Sequence, residues 1–502
     1  MARKHIKYQG GFEAEKFPYK SLRGFLGDME ERKELAHIIE EIDTRYEVGA
    51  IARKVGMSFE RGPGIYYHNL KEFSDWTLVT NVINTYSRLF RALGTTKEKV
   101  FDDFTEKAEK ITSSNQDSYY EIVKDGDFEQ IDLRDNDIDI TRLPIPLWSE
   151  SDGGRYITTG LTMCLNPETG RQNMSITRLM VQGPRQTGIL ITPAQDIGKN
   201  YLAHKKKKKN MALAIAIGAD PLMYIVSQIN APRDISEFSY WGAIAGEKAQ
   251  MVKCKMSDLL VPKRAEIVLE GEVPIDEFHS EGPFGEFPGF YSGIRKLNVF
   301  KIHRLAMKED AIYQGMAIGK DPNEANFITS WGTDLSVMKH ARRYFSEITA
   351  VRSISAVGLT TVVAIDHNKA YPGLSKQAGH FIWACPQLAK AAKNIIVVDD
   401  TVDIYSEYDI LWALGSYVQG NKDISIVEGT PGVIIDPSEP WGMGYIEEDK
   451  TLQTTTTTII DATPKYGIFS EGYKRGIVDS PKEIKRKVEE KWSHWGIDKY
   501  FV

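Results

Sequence analysis

The fold is decided by residues 156–183, which read YITTGLTMCLNPETGRQNMSITRLMVQG. The apolar segments in this stretch are short, rich in β-branched residues and separated by glycine or proline. The same pattern returns up to Lys308, for example in AEIVLEG (265–271) and NVFKIHRLAM (298–307). Short strands with turn residues between them are typical of barrels and sandwiches. The centre of the chain is therefore predicted to form a β-barrel or sandwich that carries a few inserted helices.

The segment before this stretch has a helical pattern. Between Ser21 and Val55 apolar residues recur at helical spacing, with charged residues between them, which predicts two or three amphipathic helices. These apolar residues are Leu22, Phe25, Leu26, Met29, Leu35, Ile38, Ile39 and Ile42. The turn RGPG (61–64) precedes a short predicted strand, YYHNL (66–70), and a further helical stripe follows. The opening section is therefore expected to be α/β.

The segment after residue 354 alternates between two patterns. Strand-like TTVVAI (360–365) and NIIVVDD (394–400) are followed by helical patterns at residues 378–393 and 405–418. This alternation predicts a second α/β domain with βαβ units. Near the end, Ser480 is a good N-cap for a helix with one apolar face, which needs a docking surface on its own domain or on a neighbouring subunit.

Composition excludes several classes of protein. The chain has 502 residues, of which 42% are hydrophobic and 26% charged, and these values are typical of a folded globular protein. With 63 Lys and Arg against 69 Asp and Glu, the formal net charge is -6, which disfavours nucleic acid as a general partner. The three cysteines are far apart and favour a reducing compartment. No apolar region suits a signal peptide or a membrane span, so the expected location is cytoplasmic, with no membrane partner.

The common signatures of cofactor and hydrolase sites are absent. The sequence has no GxGxxG, GxxxxGK[ST], HExxH or GxSxG motif. Its ten histidines are scattered, so His279 and His380 are not expected to bind zinc. Any chemistry must therefore come from carboxylates, arginine, amides and a cofactor.

One constellation does suit chemistry. The segment SEGPFGEFPG (280–289) places Glu281 and Glu286 five residues apart, among glycine and proline residues that favour a shaped loop over a helix. Arg178 lies in NMSITRLMV (173–181), which otherwise has the pattern of an interior strand. A buried arginine is rare without a carboxylate partner.

These segments carry a family resemblance. The strings are NMSITRLM (173–180), SEFSYWGAIAGEKAQMVKC (236–254), IVLEG (267–271), SEGPFGEFPG (280–289) and VVDDTVDIY (397–405). In this order they resemble the UbiD-type decarboxylases, which use prenylated FMN. The upstream strings LRGFLGDMEERKEL (22–35) and YSRLFRALG (86–94) also look like that family, so the resemblance covers nearly the whole chain.

The resemblance implies an α/β chain in three parts. Residues 1–120 would form an N-terminal α/β region, and residues 121–315 a central split β-barrel that binds the flavin. Residues 316–502 would form a C-terminal α/β oligomerisation domain with a terminal docking helix.

The resemblance also implies an activity. This is the reversible, non-oxidative decarboxylation, or carboxylation, of an aromatic or α,β-unsaturated carboxylic acid through a covalent adduct with prenylated FMN. The family's Glu-Arg-Glu network would fall on Arg178, Glu281 and Glu286, with Glu286 cycling between acid and base. Loss of CO2 from an sp2 carbon leaves a carbanion, which needs an electron sink and then a proton.

The resemblance implies further site residues. Cofactor contacts would come from Asn173, Met174, Ser175, Ile176, Thr177, Arg178, Ala194, Gln195 and Glu237. Among these, Asn173, Gln195 and Glu237 would bind a divalent metal, usually Mn2+, with K+ bound near Ser227; a helix-end hydroxyl is the alternative for Ser227. The chain departs from the family where several relatives have histidine, because it has Gln195 there, with Asp196 as an alternative ligand.

Three further positions follow from the resemblance. Thr457 stands where relatives often have a lysine, so one phosphate contact is lost or supplied from elsewhere. Phe287 and Ile328 resemble substrate-lining positions, although either could equally belong to the core.

The implied partners are a small aromatic or unsaturated acid, CO2 and a flavin prenyltransferase that supplies the cofactor. The implied assembly is a homodimer or a homohexamer. Two alternatives stay open: a subunit of a multi-component aromatic carboxylase, and a non-catalytic flavin-binding or assembly protein.

Overall fold

The computed structural model describes the chain at residues 5–58, 62–193, 195–320, 322–354, 359–385, 392–432, 436–439, 454–465 and 480–496. Residues 1–463 form one unit and residues 464–502 a second. The chain is an α/β protein, as the sequence predicts.

The N-terminal part combines four helices with three strands. They are α1 Leu22–Glu31, β1 Leu35–Ile42, α2 Glu47–Gly56, β2 Gly64–Leu70, β3 Thr77–Thr80, α3 Tyr86–Leu93 and α4 Val100–Glu109. Helix α1 begins at Leu22 because the side chain of Ser21 accepts a hydrogen bond from the Gly24 amide.

One helix prediction in this part is wrong. The segment that contains Leu35, Ile38, Ile39 and Ile42 is strand β1, which pairs in parallel with β2 through Leu35↔Gly64 and Ile42↔Leu70. The side chain of Ile39 is 73% exposed, so it is not part of the buried apolar helix face that the sequence predicts. Pairing with a strand distant in sequence decides the structure here, because β-branched residues fit a strand as well as a helix.

The central part contains most of the strands and three inserted helices. They are β4 Tyr120–Val123, β5 Ile131–Arg134, β6 Tyr156–Ile157, β7 Leu161–Leu165, β8 Gln172–Ile176, β9 Leu179–Gly183, β10 Gln186–Ile189, α5 Asp196–Lys206, β11 Met211–Ile217, α6 Pro221–Val226, α7 Glu237–Ala245, β12 Ala249–Lys253, β13 Leu260–Pro262, β14 Ile267–Val273, β15 Phe278–Glu281, β16 Arg295–Met307 and β17 Ile312–Gln314.

Ten of these strands form one sheet. Its main path runs β6-β9-β10-β16-β14-β11-β7-β8, and β15 and β5 pair with the long strand β16. The predicted barrel is not closed within the described residues, because the end strands β6 and β8 do not pair with each other. Strand β6 has only two residues, and β8 directs the Met174 amide to the side chain of Glu237 on α7, so a helix covers that edge.

Two smaller sheets connect the central part to its surroundings. Strand β17 joins the N-terminal strands in the order β1-β2-β3-β17, and β12 lies between β13 and β4. The two largest hydrophobic clusters both contain residues of the N-terminal part and of the central sheet. These shared cores fix α2 relative to the strands of the central sheet.

The C-terminal part is a five-stranded sheet with helices. Its elements are α8 Glu324–Ala341, β18 Ile348–Ser353, β19 Thr360–Ile365, α9 Leu374–Ala384, β20 Asn394–Asp399, α10 Glu407–Tyr417, α11 Gly420–Asp423, β21 Ile424–Pro431 and β22 Thr454–Asp461. The strand order is β18-β19-β20-β22-β21, and β20 pairs in parallel with both β19 and β22. The unit β19-α9-β20 confirms the predicted βαβ pattern.

The second unit contains helix α12, Lys482–Trp492. The sequence predicts this helix, but its N-cap is Pro481 and not Ser480 as expected. Its docking surface stays a prediction. The three domain boundaries also stay predictions.

All three cysteines, Cys164, Cys254 and Cys385, are buried free thiols. Within the described ranges, none of the helices has both the length and the apolar character that a membrane crossing requires.

Candidate active site

Three charged side chains meet beside the central sheet. Arg178 connects β8 to β9, Glu281 ends β15, and Glu286 lies in the loop that follows. Arg178 donates from Nε to Glu281 Oε1 at 3.2 Å and from Nη2 to Glu281 Oε2 at 3.0 Å. Its Nη1 donates to Glu286 Oε1. The structure therefore brings together the three residues that the sequence singles out.

This network is shielded from water. The side chains of Arg178, Glu281 and Glu286 are 9%, 1% and 11% exposed. The guanidinium carbon of Arg178 lies 5.0 Å from the centroid of the Phe284 ring. Hydrogen bonds between charged groups are stronger where water is excluded. With one arginine facing two carboxylates, the arrangement can keep one carboxylate ionised while the other exchanges a proton.

The loop that carries Glu286 is held by its own backbone. The Glu286 amide donates to Phe290 O at 2.9 Å, and the Gly289 amide donates to Glu286 O at 3.0 Å. Gly282 has a φ of +96°, in the region that favours glycine. These features give the shaped, non-helical loop that the sequence predicts.

A second polar group lies where β8 meets the start of α7. Glu237 is 4% exposed and accepts hydrogen bonds from Asn173 Nδ2 at 2.9 Å and from the Met174 amide at 2.7 Å. Burial, with a smaller contribution from the charge of Asp196, raises the pKa of Glu237 to about 8. The amide of Asn173 and the carboxylate of Glu237 lie together in a buried site, and such groups are suitable ligands for a hard divalent cation.

Two buried oxygens nearby point to an additional ligand. In the described part of the chain, Ser175 Oγ and Asn200 Oδ1 are buried without a hydrogen-bond partner. Asn200 Nδ2 donates to Cys164 Sγ at 3.5 Å, and Cys164 is in turn 3.9 Å from Asn173 Oδ1. Buried polar atoms are normally paired. The hydroxyl of Ser175 can donate to a phosphate oxygen, and the amide oxygen of Asn200 can bind a cation, so these residues fit a phosphate that is bound together with a metal ion.

Gln195 and Asp196, at the start of α5, differ in how far their side chains are buried. Gln195 is the N-cap residue with an exposed side chain that makes no capping hydrogen bond. Asp196 is partly buried, accepts a hydrogen bond from Lys199 Nζ at 2.8 Å, and is close enough to Glu237 to raise its pKa. Asp196 is therefore close enough to interact electrostatically with Glu237, which is hydrogen-bonded to Asn173, whereas the side chain of Gln195 is exposed. Ala194 lies outside the described residues.

The remaining residues that the family resemblance implies lie at several places around this region. Ile176 is the last residue of β8, and Thr177 begins the turn to Arg178. Phe287 directly follows Glu286 and is partly buried. Ile328 is fully buried in the largest hydrophobic core, so it belongs to the core, and its contact with a substrate stays a prediction. The hydroxyl of Ser227 donates to Tyr224 O at 2.7 Å at the end of α6, as the helix-end alternative requires.

Thr457 is 1% exposed and lies in strand β22. Its hydroxyl is 3.0 Å from the hydroxyl of Thr430. Thr457 therefore takes part in the pairing of β21 with β22, and its relation to a phosphate stays a prediction.

Two residues of this region were missed in the sequence. Tyr156 is fully buried, and its hydroxyl donates to Pro283 O at 3.3 Å. Asp152 accepts a hydrogen bond from the Gly285 amide at 2.9 Å, and burial raises its pKa to about 6. Both belong to the segment LPIPLWSESDGGRYITTG (143–160), which is dense in proline, glycine and serine. The available signal was the aspartate at a turn, since such residues often bind backbone amides.

Comparison with known families identifies the chain. Three family models of 3-octaprenyl-4-hydroxybenzoate carboxy-lyase match it: the N-terminal domain at residues 26–108, the Rift-related domain at 121–321 and the C-terminal domain at 326–462. The chain belongs to the UbiD family of carboxy-lyases. The resemblance seen in the sequence is thereby confirmed.

Individual UbiD relatives are similar over almost their whole length. A phenolic acid decarboxylase of Bacillus subtilis is 29% identical, and the match covers 93% of this chain and 97% of the relative. The vanillic acid decarboxylase of Sedimentibacter hydroxybenzoicus, in its closed form, has a TM-score of 0.80 at 26% identity, covering 94% of this chain and 98% of that chain.

The fold is also shared with more distant UbiD-class enzymes. The structure of HmfF from Pelotomaculum thermopropionicum, in complex with FMN, has a TM-score of 0.81 at 24% identity, covering 93% of this chain and 99% of that chain. At that identity the similarity concerns the fold.

Proposed function

We propose that the protein catalyses the reversible, non-oxidative decarboxylation of an aromatic or α,β-unsaturated carboxylic acid with prenylated FMN as its cofactor. The observation that carries this proposal is the buried network of Arg178, Glu281 and Glu286. Membership of the UbiD family supports it, as does the similarity to decarboxylases of phenolic and vanillic acids.

The network supplies the proton that the reaction requires. Prenylated FMN, when bound, would supply the electron sink for the bond that loses CO2. Glu281 holds Arg178 in place by two hydrogen bonds, while the remaining nitrogen of Arg178 orients Glu286. Glu286 then delivers a proton to the carbon that carried the carboxylate. In the carboxylation direction Glu286 accepts the proton instead.

The metal and cofactor positions are part of the same proposal. Asn173 and Glu237 bind a divalent cation, Mn2+ by family resemblance, and Asp196 completes this set in place of the usual histidine. Such a cation neutralises the cofactor phosphate, which a chain with a net charge of -6 cannot do by overall charge. Residues 174–178, Ala194 and Gln195 contact the cofactor, K+ binds near Ser227, and Phe287 lines the substrate pocket.

The proposal also includes a physiological setting, which rests on the family resemblance and on the composition of the chain. A flavin prenyltransferase supplies prenylated FMN, and the protein acts as a homodimer or homohexamer in the cytoplasm.

A multi-component enzyme is the second candidate. It is favoured by the Sedimentibacter vanillic acid decarboxylase ShVdcCD, one of whose structures, in the open form, is described with a truncated ShVdcD. The purified chain, loaded with cofactor, should exchange labelled CO2 by itself if it is a complete enzyme. A subunit of a larger carboxylase would exchange CO2 only after its partner is added. A non-catalytic flavin protein would not need the buried network.

The test is a substrate panel. The chain is coexpressed with a flavin prenyltransferase, purified, and assayed for CO2 release from aromatic, heteroaromatic and acrylic acids. We expect turnover of at least one acid and a modified-flavin absorbance spectrum. Flavin binding without turnover or CO2 exchange, with or without added partner proteins, would contradict the proposal.

A further inference from the structure

A tight turn lies against the loop that carries Glu286. The turn comprises residues 149–153 and is closed by the Asp152 amide, which donates to Ser149 O at 3.1 Å. The Gly153 amide donates to Pro283 O at 2.7 Å. A Cβ atom on Gly153 would lie 2.2 Å from Gly282 O, so only glycine allows this approach. The two backbones are therefore in direct contact.

Asp152 connects the turn to the loop through its side chain. Its Oδ2 accepts the Ser149 amide at 2.9 Å, and its Oδ1 accepts the Gly285 amide at 2.9 Å. Gly285 directly precedes Glu286 in the chain. One carboxylate oxygen therefore binds an amide of the turn, and the other binds an amide of the loop. Hydrogen bonds to an ionised acceptor are stronger than hydrogen bonds to a neutral one.

The turn is fixed from its other side by helix α2. Arg53 donates from Nη2 to Trp148 O at 2.9 Å and from Nη1 to Ser149 Oγ at 3.4 Å. Trp148 is buried, and its indole nitrogen donates to Tyr156 O at 2.9 Å. The turn is therefore a rigid support, because both a helix and a buried aromatic residue hold it.

We infer that Asp152 is a positioning residue for Glu286: by holding the Gly285 amide, it fixes the place from which Glu286 exchanges its proton. The inference rests on the proposed function, since it assigns Asp152 to the same site. The carboxylate of Asp152 binds the amide of Gly285, the residue before Glu286, and therefore acts through the backbone. A small displacement of a catalytic group can cost about two orders of magnitude in rate.

The test compares Asp152→Ala with Glu150→Gln. Alanine has no side-chain acceptor, so it releases both the Ser149 amide and the Gly285 amide. Glu150 is an exposed carboxylate of the same turn and serves as the matched control. Hydrogen exchange is measured on the peptide that contains Gly285 and Glu286, and kcat and KM are measured with the holoenzyme. Unchanged exchange in strand β14 shows that each variant is folded.

For Asp152→Ala we expect amide exchange at residues 285–286 to rise about 10- to 100-fold, as the loss of a charge-assisted hydrogen bond implies. We expect kcat to fall by about the same factor, with KM changed less than about twofold. Glu150→Gln should match the wild type in both measurements.

Two results would overturn the inference while the proposed function stands. One is unchanged exchange at residues 285–286, and the other is faster exchange with an unchanged kcat. If the wild-type holoenzyme turns over no acid, the proposed function fails, and this inference fails with it.

Discussion

Arg178 and Glu281 are joined by two hydrogen bonds, from Nε to Oε1 at 3.2 Å and from Nη2 to Oε2 at 3.0 Å. This fork uses one edge of the guanidinium and leaves Nη1 for Glu286. Because Glu281 is 1% exposed, its charge depends on this arginine for compensation. Arg178 therefore both neutralises one buried carboxylate and orients the other.

Replacing Arg178 with lysine should remove this double role. Lysine keeps the charge, but its single ammonium group cannot reproduce the planar fork. We expect kcat/KM of Arg178→Lys to fall about 100-fold or more, because the general acid is no longer held in place. The control is Arg185→Lys, since Arg185 is an exposed arginine in the turn between β9 and β10. Equal activity of the two variants would contradict the role of Arg178.

The third ligand of the proposed metal site can be identified by metal analysis. Asp196 lies close enough to Glu237 to raise its pKa, whereas Gln195 is exposed. We expect Asp196→Asn to lose most of its bound manganese and Gln195→Ala to retain it. Lys199→Ala controls for the ion pair between Lys199 and Asp196, which is 2.8 Å long. Loss of manganese from Gln195→Ala, together with its retention in Asp196→Asn, would assign the ligand to Gln195 instead.

The stability of the protein should depend on the ionisation of Asp220. This residue caps α6, is 4% exposed, and accepts hydrogen bonds on Oδ1 from the Met223 amide at 3.0 Å and from Trp241 Nε1 at 2.8 Å. Burial raises the pKa of Asp220 from 3.8 to about 7. Between these values the native state holds a proton that the unfolded state has lost, so stability falls as pH rises, by about 1.4 kcal/mol per pH unit.

Asp220→Asn keeps an acceptor oxygen and a good N-cap but cannot ionise. We therefore expect its free energy of unfolding, relative to the wild type, to increase as pH rises from about 4 to about 7. Urea unfolding of both proteins at several pH values in this range measures the difference. A difference that does not change with pH would show that Asp220 titrates normally in the folded state.

The sequence singled out Arg178, Glu281 and Glu286 because these residues break local rules, and the family resemblance assigned them to one network. Arg178 stands in an apolar strand pattern, and Glu281 and Glu286 stand among residues that cannot form a helix. Charged residues in such positions need partners of opposite charge. In the structure, Arg178 pairs with both Glu281 and Glu286. The alternating C-terminal strands were predictable because buried parallel strands are short and apolar.

Other features depend on contacts between distant parts of the chain. The apolar residues from Leu35 to Ile42 suit a helix, yet they form β1 because β2 offers a partner strand. The central sheet is open within the described residues because α7 lies against its β8 edge, which no local pattern indicates. The role of Asp152 was hidden because its acceptor oxygen meets the amide of Gly285, 133 residues away.

The most direct test of the account is the substitution Glu286→Gln in the cofactor-loaded protein, assayed for CO2 release with an acid that the wild type converts. Glutamine preserves the size of the side chain and an acceptor for Arg178 but cannot deliver a proton. The account predicts unchanged flavin loading and a loss of turnover of about 100- to 10,000-fold. Turnover equal to that of the wild type would contradict the assignment of Glu286 as the proton donor.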